Sequence, residues 1–223
     1  MRRALRGFTL MEVMVAVAIT AFIGTIVSMA FSTGFRTKEL IEGDAERYRM
    51  VRVALNRMAR EIGSAFVSDR YDPKRYRDAN DRPTNFVGEE DRLLFTTMSH
   101  QRLYTDSKES DQAVVEYFVE NSTEKNARSR QDLKRRVNPN VGERMDRGGT
   151  TDVLFENVKK VEFAYWDSER KEWEDEWDTR RNERKSILPT RVRITVFAPD
   201  ENGKEARYTT QVRIMMNTEL TRF

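Results

Sequence analysis

The sequence predicts an α+β protein: a long amino-terminal α-helix, membrane-spanning in its first half, packed on antiparallel β-sheet. Three observations predict it. No residue from Val13 to Phe35 is charged. An apolar stripe at helical spacing follows, at Ile41, Tyr48, Val51, Leu55, Met58 and Ile62. Downstream, short runs alternate apolar and polar residues with a period of two, one after another and without helical crossovers.

The first element opens Met1-Arg2-Arg3-Ala4-Leu5-Arg6-Gly7, then Phe8-Thr9-Leu10-Met11-Glu12. About 20 helical residues cross a bilayer core, so the uncharged stretch is long enough to cross once. The positive-inside rule puts Arg2, Arg3 and Arg6 in the cytoplasm and the chain after Phe35 outside. Three readings of this segment compete. A cleaved signal peptide has small-x-small cut sites at Ala16-Val17-Ala18 and Ser28-Met29-Ala30, but places Glu12 inside its apolar region. A plain anchor leaves Glu12 as an unexplained cost of about 2.5–3.5 kcal/mol if it lies deep in the bilayer. A cut between Gly7 and Phe8 keeps the whole apolar helix and explains most. It gives Phe8 a new ammonium group, with Glu12 about 6 Å further along the helix axis, near the cytoplasmic interface. It also removes Arg2, Arg3 and Arg6, leaving 37 cationic residues to match the 37 Asp and Glu. The sequence pI of about 9.1 is then partly a property of the leader, not of a basic partner surface.

The helix continues past the membrane. Arg47, Arg49, Arg52, Asn56, Arg57, Arg60 and Glu61 lie off the apolar stripe, and no proline precedes Pro73. Gly24, Gly34 and Gly43 weaken or bend the helix without ending it. A helix from Phe8 to about Ile62 is roughly 80 Å long, and its one-sided second half needs a cover. Strands supply it: 92–98, 113–119, 161–165 with Val161, Phe163 and Tyr165 alternating, 192–196, and 208–216. Pro199-Asp200-Glu201-Asn202-Gly203 reads as the hairpin loop between the last two. Ser68 to Asp91 and Asn121 to Thr150 read as polar surface loops. No internal repeat or low-complexity tract is evident.

Composition limits the chemistry. Charged residues make up 35% of the chain, hydrophobic ones 38%, and mean hydropathy is −0.75, so polarity is concentrated after the apolar start. The formal charge of +3 mixes both signs along the chain, unlike a nucleic-acid binder. There is no cysteine, which excludes disulfides, thiol nucleophiles and Cys-ligated metals. The single histidine, His100, excludes His triads and multi-His metal sites, and reads as a surface residue. The acidic run 167–178 lacks the spacing and turn glycine of a calcium loop; it reads as a solvated, charge-mixed loop whose tryptophans pack inward. The basic cluster Arg128-Ser129-Arg130 with Lys134-Arg135-Arg136 is interleaved with Asp132 and Glu143 and likewise reads as solvated loop. No catalytic constellation, metal site or cofactor is expected.

The residues Arg6-Gly7-Phe8-Thr9-Leu10-Met11-Glu12-Val13 resemble the processing motif of the type IV prepilin and pseudopilin superfamily. That resemblance implies a pilin-like fold and cleavage at Gly7-Phe8 by a prepilin peptidase that is also the N-methyltransferase of Phe8. It assigns Glu12 to methylation and docking. A carboxylate in a filament core is costly alone and stable when paired with a neighbour's ammonium, which would fix the register of adjoining subunits. The alternatives are that Glu12 pairs with its own Phe8 amine or faces interfacial water. Further on, Phe86-Val87-Gly88, Arg92 to Thr96, Val114 to Tyr117, Leu154 to Val158, Phe163 to Asp167, Trp173, Trp177 and Leu188 to Ile194 are similar in order to the J-type minor pseudopilins of type II secretion.

By that resemblance the chain divides into a cleaved leader at 1–7, a transmembrane and filament-core helix at 8–35, an amphipathic helix at 36–66 and a periplasmic antiparallel β domain with long loops at 67–223. It is expected to be a single-pass inner-membrane protein, amino terminus cytoplasmic, joining the periplasmic pseudopilus at or near its tip. The implied partners are the I- and K-type minor pseudopilins, the major pseudopilin and the inner membrane, with no nucleic acid. A minor pilin of a type IV pilus or DNA-uptake system shares the motif. An exported binding protein or enzyme on an uncleaved anchor is the competing class; it would leave Glu12 dispensable.

Overall fold

The computed structural model describes residues 9–68, 71–72, 74–78, 81–101, 110–122, 130–142, 144–200 and 203–216, the side chains of 34–46 excepted. Gly7, Phe8, Arg2, Arg3 and Arg6 lie outside the described residues, as do the side chain of Ile41 and the pair Arg128-Ser129. Helix α1 spans Leu10–Gly63. The chain forms two units, Met1–Arg47 and Tyr48–Phe223.

The second unit holds the last turns of α1 and ten strands in two antiparallel sheets. The larger sheet has the order β5-β4-β3-β2-β1-β8, where β1 is Phe86–Gly88, β2 Leu93–Thr97, β3 Ala113–Asn121, β4 Gln131–Asn138, β5 Thr150–Val158 and β8 Trp177–Asp178. The smaller has the order β10-β9-β6-β7, with β6 Lys160–Asp167, β7 Glu172–Glu174, β9 Arg191–Pro199 and β10 Glu205–Arg213. The strands expected from alternation are all present. The 199–203 turn closes the β9–β10 hairpin, in which the Lys204 amide donates to Asp200 Oδ1 at 2.7 Å and Gly203 takes φ +72°.

The stripe on α1 meets the sheets through Val51, Met58 and Ile62, with Leu55 partly buried; Tyr48, expected on the stripe, is exposed, and Ala54 is in the core instead. Val51, Ala54, Met58 and Ile62 are buried in one cluster with Phe86, Leu93, Phe95, Tyr117 and Leu133 of the larger sheet and Phe163, Tyr165, Val192 and Ile194 of the smaller. Each such side chain removed from water contributes about 1.5–3 kcal/mol before chain entropy is counted. An aromatic path crosses the core: Tyr117 stacks on Phe95 at 6.2 Å, and Phe86 meets Phe95 at 6.0 Å and, edge-on, Tyr165 at 5.9 Å. The carbonyls at the helix end, orphaned by geometry, are taken up by the sheets. The Thr97 hydroxyl donates to Glu61 O at 2.7 Å, and the Met215 amide to Gly63 O at 3.0 Å.

Five expectations are corrected. Asn121 to Thr150 is not simply a loop: it contains β4, paired on both sides by β3 and β5. Ser68 to Asp91 contains β1, which pairs with β2 and β8. Lys134 and Arg135 are not solvated but 6% exposed, and Glu61 is not on a solvent face but 4% exposed. The 167–178 run is partly strand, through β7 and β8; Trp177 does pack inward, and Trp173 is half-buried.

The charges of β4 are neutralised in place. Residues alternate across the sheet, so Arg135 points to the core and Arg136 away from it. Arg135 Nε donates to Glu61 Oε2 at 2.9 Å, and the Tyr117 hydroxyl donates to the same oxygen. Arg57, one helical turn before Glu61, reaches Oε1 at 3.3 Å. On the other face Glu116, buried, accepts from both Arg92 and Arg136. Arg136 also donates to Met145 O at 2.7 Å and Gly148 O at 2.9 Å, which holds the 139–149 connection against the sheet. Lys134 pairs with Glu120 at 2.8 Å.

Burial, followed by the Glu61 charge, pushes the Tyr117 phenol well above the usual tyrosine range. Burial, followed by Glu89 and Asp91, does the same for Tyr165. A pKa raised on folding gives stability that is whole below the unfolded value of about 10 and is lost as pH rises through the folded value. Tyr117 and Tyr165 should therefore stay protonated above about pH 10 for as long as the domain is folded. Absorbance at 295 nm during a pH titration measures this; ionisation of both phenols before the domain unfolds would contradict it.

Candidate assembly site

The first unit presents an apolar rod. Leu10–Thr33 is long and apolar enough to cross a membrane, with a mean hydropathy of 2.3, and none of it is buried. Large side chains stand in the open along it: Leu10 is 82% exposed, and Met14, Phe22, Met29 and Phe31 more than half. Such a surface is stable only in lipid or against other apolar helices. Its polar residues are fitted for that setting. The hydroxyls of Thr20, Thr25 and Thr33 donate to the carbonyls four residues back, Ala16, Ala21 and Met29, at 2.8, 2.8 and 3.0 Å. No hydroxyl proton among these three is left to face hydrocarbon.

Glu12 is the one ionisable group in this span. Within the chain it closes a reciprocal cap on the helix start. Thr9 stands at the N-cap and Glu12 three residues on, the spacing of a capping box. Glu12 Oε2 accepts from the Thr9 amide at 2.9 Å and from the Thr9 hydroxyl at 3.0 Å, and the Glu12 amide donates to Thr9 Oγ1 at 3.3 Å. This partner is a third one beside the Phe8 amine and interfacial water, and the Thr-x-x-Glu pattern before an apolar run was its signal. The carboxylate still has its second oxygen, Oε1, outside these bonds.

Other singled-out polar residues among those described lie in the second unit and are engaged there. His100 is half-buried in the second unit, its amide donating to Asp111 O at 3.0 Å. Asp167 accepts from the amides of Glu169 and Arg170 at 2.8 and 3.2 Å and pairs with Arg184 at 3.1 Å. Among the described residues no group of His, Asp and Glu is placed to hold a metal ion.

An uncovered apolar amino-terminal helix with a capped glutamate at its start, followed by a β domain, is the build of a membrane-embedded filament subunit. A model of the prokaryotic N-terminal methylation motif matches residues 2–28. The model of Type II secretion system (T2SS), protein J, matches residues 29–208, and the chain belongs to that family. It is a minor pseudopilin of type II secretion. No curated protein matches it. Among solved structures, the GspK-GspI-GspJ complex from the enterotoxigenic Escherichia coli Type 2 Secretion System holds a chain similar to 75% of this one, over 97% of its own length, at 12% identity and a TM-score of 0.48.

Proposed function

We infer that the precursor inserts with Arg2, Arg3 and Arg6 in the cytoplasm and is cut between Gly7 and Phe8 by the prepilin peptidase, which then N-methylates Phe8. The mature subunit leaves the inner membrane by joining a short periplasmic pseudopilus, at or near its tip, with the I- and K-type minor pseudopilins and the major pseudopilin. It catalyses nothing; its work is packing. The observation that carries this reading is the uncovered rod Leu10–Thr33, lying within and just beyond the matched methylation motif. A rod that must leave lipid needs apolar neighbours, and Glu12 needs a cation when it goes with it. The ammonium of an adjoining Phe8 is the cation that processing creates. In this scheme 8–35 is the filament-core helix, 36–66 its amphipathic continuation and 67–223 the periplasmic domain.

The test is the intact mass of the amino-terminal peptide from membranes. An N-methyl-Phe8 terminus is expected. A terminus at Met1 would leave a plain anchor, and one after Ala18 or Ala30 an ordinary exported protein. Glu12→Leu separates anchoring from assembly: the variant should still insert, since a membrane cost is removed, and should lose at least tenfold in cross-linking to the other pseudopilins. Undiminished cross-linking would overturn the role of Glu12.

A further inference from the structure

The outer face of the smaller sheet carries arginines that form no ion pair among the described residues. Pairing puts Trp173, Trp166, Arg191 and Arg213 in one row across the four strands. The next row holds Ala164, Arg193 and Gln211. Because Ala164 is small, Arg193 can reach over it, and its guanidinium lies 3.9 Å above the Trp173 ring. The ring is held in turn by an edge contact to Trp166 at 5.3 Å. Arg193 Nε is buried and donates to nothing among the described residues. Arg191 and Arg213 are exposed and directly opposed, at the separation where like charges destabilise a strand pair. Most acids of this sheet are engaged elsewhere: Glu162 with Lys160, Glu205 with Lys159, Glu174 with Arg170 and Arg184, and Asp167 with Arg184. Glu172 is opposite Asp167, on the face away from Trp173.

We propose that this face binds an acidic, extended polypeptide segment, whose carboxylates the cluster Arg191, Arg193 and Arg213 receives. Charge complementarity names the sign, since an opposed arginine pair is relieved by an anion lying between its members. The adjoining edge names the class. β10 is the last strand of its sheet, nine residues long, and no further strand pairs with it among the described residues. A polypeptide can use that edge and the arginines together; a lipid headgroup or free phosphate can use only the arginines. Trp166 and Trp173 supply rigid apolar area beside the charges, the composition of an interface centre. The proposal holds whichever neighbours the subunit has in the filament.

The test uses the full chain in phosphatidylcholine nanodiscs and a labelled deca-glutamate peptide, with deca-glutamine as the neutral probe. The parent should bind deca-glutamate and not deca-glutamine. R191Q/R213Q should weaken binding at least tenfold, and R144Q/R147Q, with the same loss of charge from another surface, less than twofold. Because the opposed pair repels, R191Q/R213Q should unfold at no lower urea concentration than the parent; a lower midpoint makes the arginines a folding feature and overturns the proposal. Equal loss in both double variants, binding of deca-glutamine, or no binding by the parent would also overturn it. So would displacement of the peptide by millimolar inorganic phosphate, which marks a free-anion site, or its exclusion by phosphatidylglycerol nanodiscs, which marks a lipid surface.

Discussion

Glu61→Ala should cost the β domain about 3–5 kcal/mol, the range for removing one member of a buried ion pair. The loss comes less from the missing contacts than from what stays behind. Arg135 keeps its charge 6% exposed in the core, and the Tyr117 hydroxyl, fully buried, loses its acceptor. Arg57 is exposed enough to turn to water and adds little. The three tryptophans all lie in this domain, so urea unfolding of the full chain in detergent can be followed by their fluorescence. The companion variant E61L/Y117F/R135M removes the whole group and should lie within about 1–2 kcal/mol of the parent, since apolar replacements of buried ion groups are often neutral. A small loss for Glu61→Ala alone would mean that the core admits water to Arg135, and the account of the triad would fail.

Gly88→Ala should cost the domain about 3 kcal/mol, the upper end of the overpacking range. A Cβ at Gly88 would land inside the ring of Tyr165. That ring cannot swing away. It is fully buried against Phe86, and its hydroxyl donates to Glu89 O at 2.9 Å. The requirement is for space, since Gly88 has an ordinary strand conformation. A double-mutant cycle checks this. Tyr165→Leu leaves a cavity of its own, but G88A/Y165L should cost at least 1 kcal/mol less than the two single losses together. Additive losses would show that the glycine matters for something other than the tyrosine.

The long strands and the helix were legible because each has one apolar and one polar face, and the period survives in the letters. β6 and β10 alternate through their whole length, and β9 does so except at Ile194 to Val196, where three successive residues are buried. The capping of Glu12 by Thr9 went unread, although the Thr-x-x-Glu spacing carried its signal. β4 was hidden because it is charged on both faces: Arg135 and Arg136 are each buried by a carboxylate from another element, and no local pattern announces a partner 74 or 20 residues away. Glu61 was misplaced for the same reason. It lies three residues after Met58 and four before Ala65, both buried, so its position belonged to the stripe while its charge argued against it. β1 was lost to its length, three residues, too few for a period to show.

The two-faced charge of β4 has a consequence for how the sheet finds its alignment during folding. A slip of β4 by one residue against β3 would swap the faces of Arg135 and Arg136 and still leave an arginine in the place of one of them, with Val137 or Lys134 in the place of the other. The ion pairs alone therefore discriminate the alignment only weakly. Their neighbours do so strongly: the same slip would drive Lys134 into the core and strand Leu133, now fully buried, on the outside. Leu133, facing Val119, and Val137, facing Val115, are the residues that reject the misaligned hairpin, and the arginines only consolidate an alignment that apolar pairs have already selected.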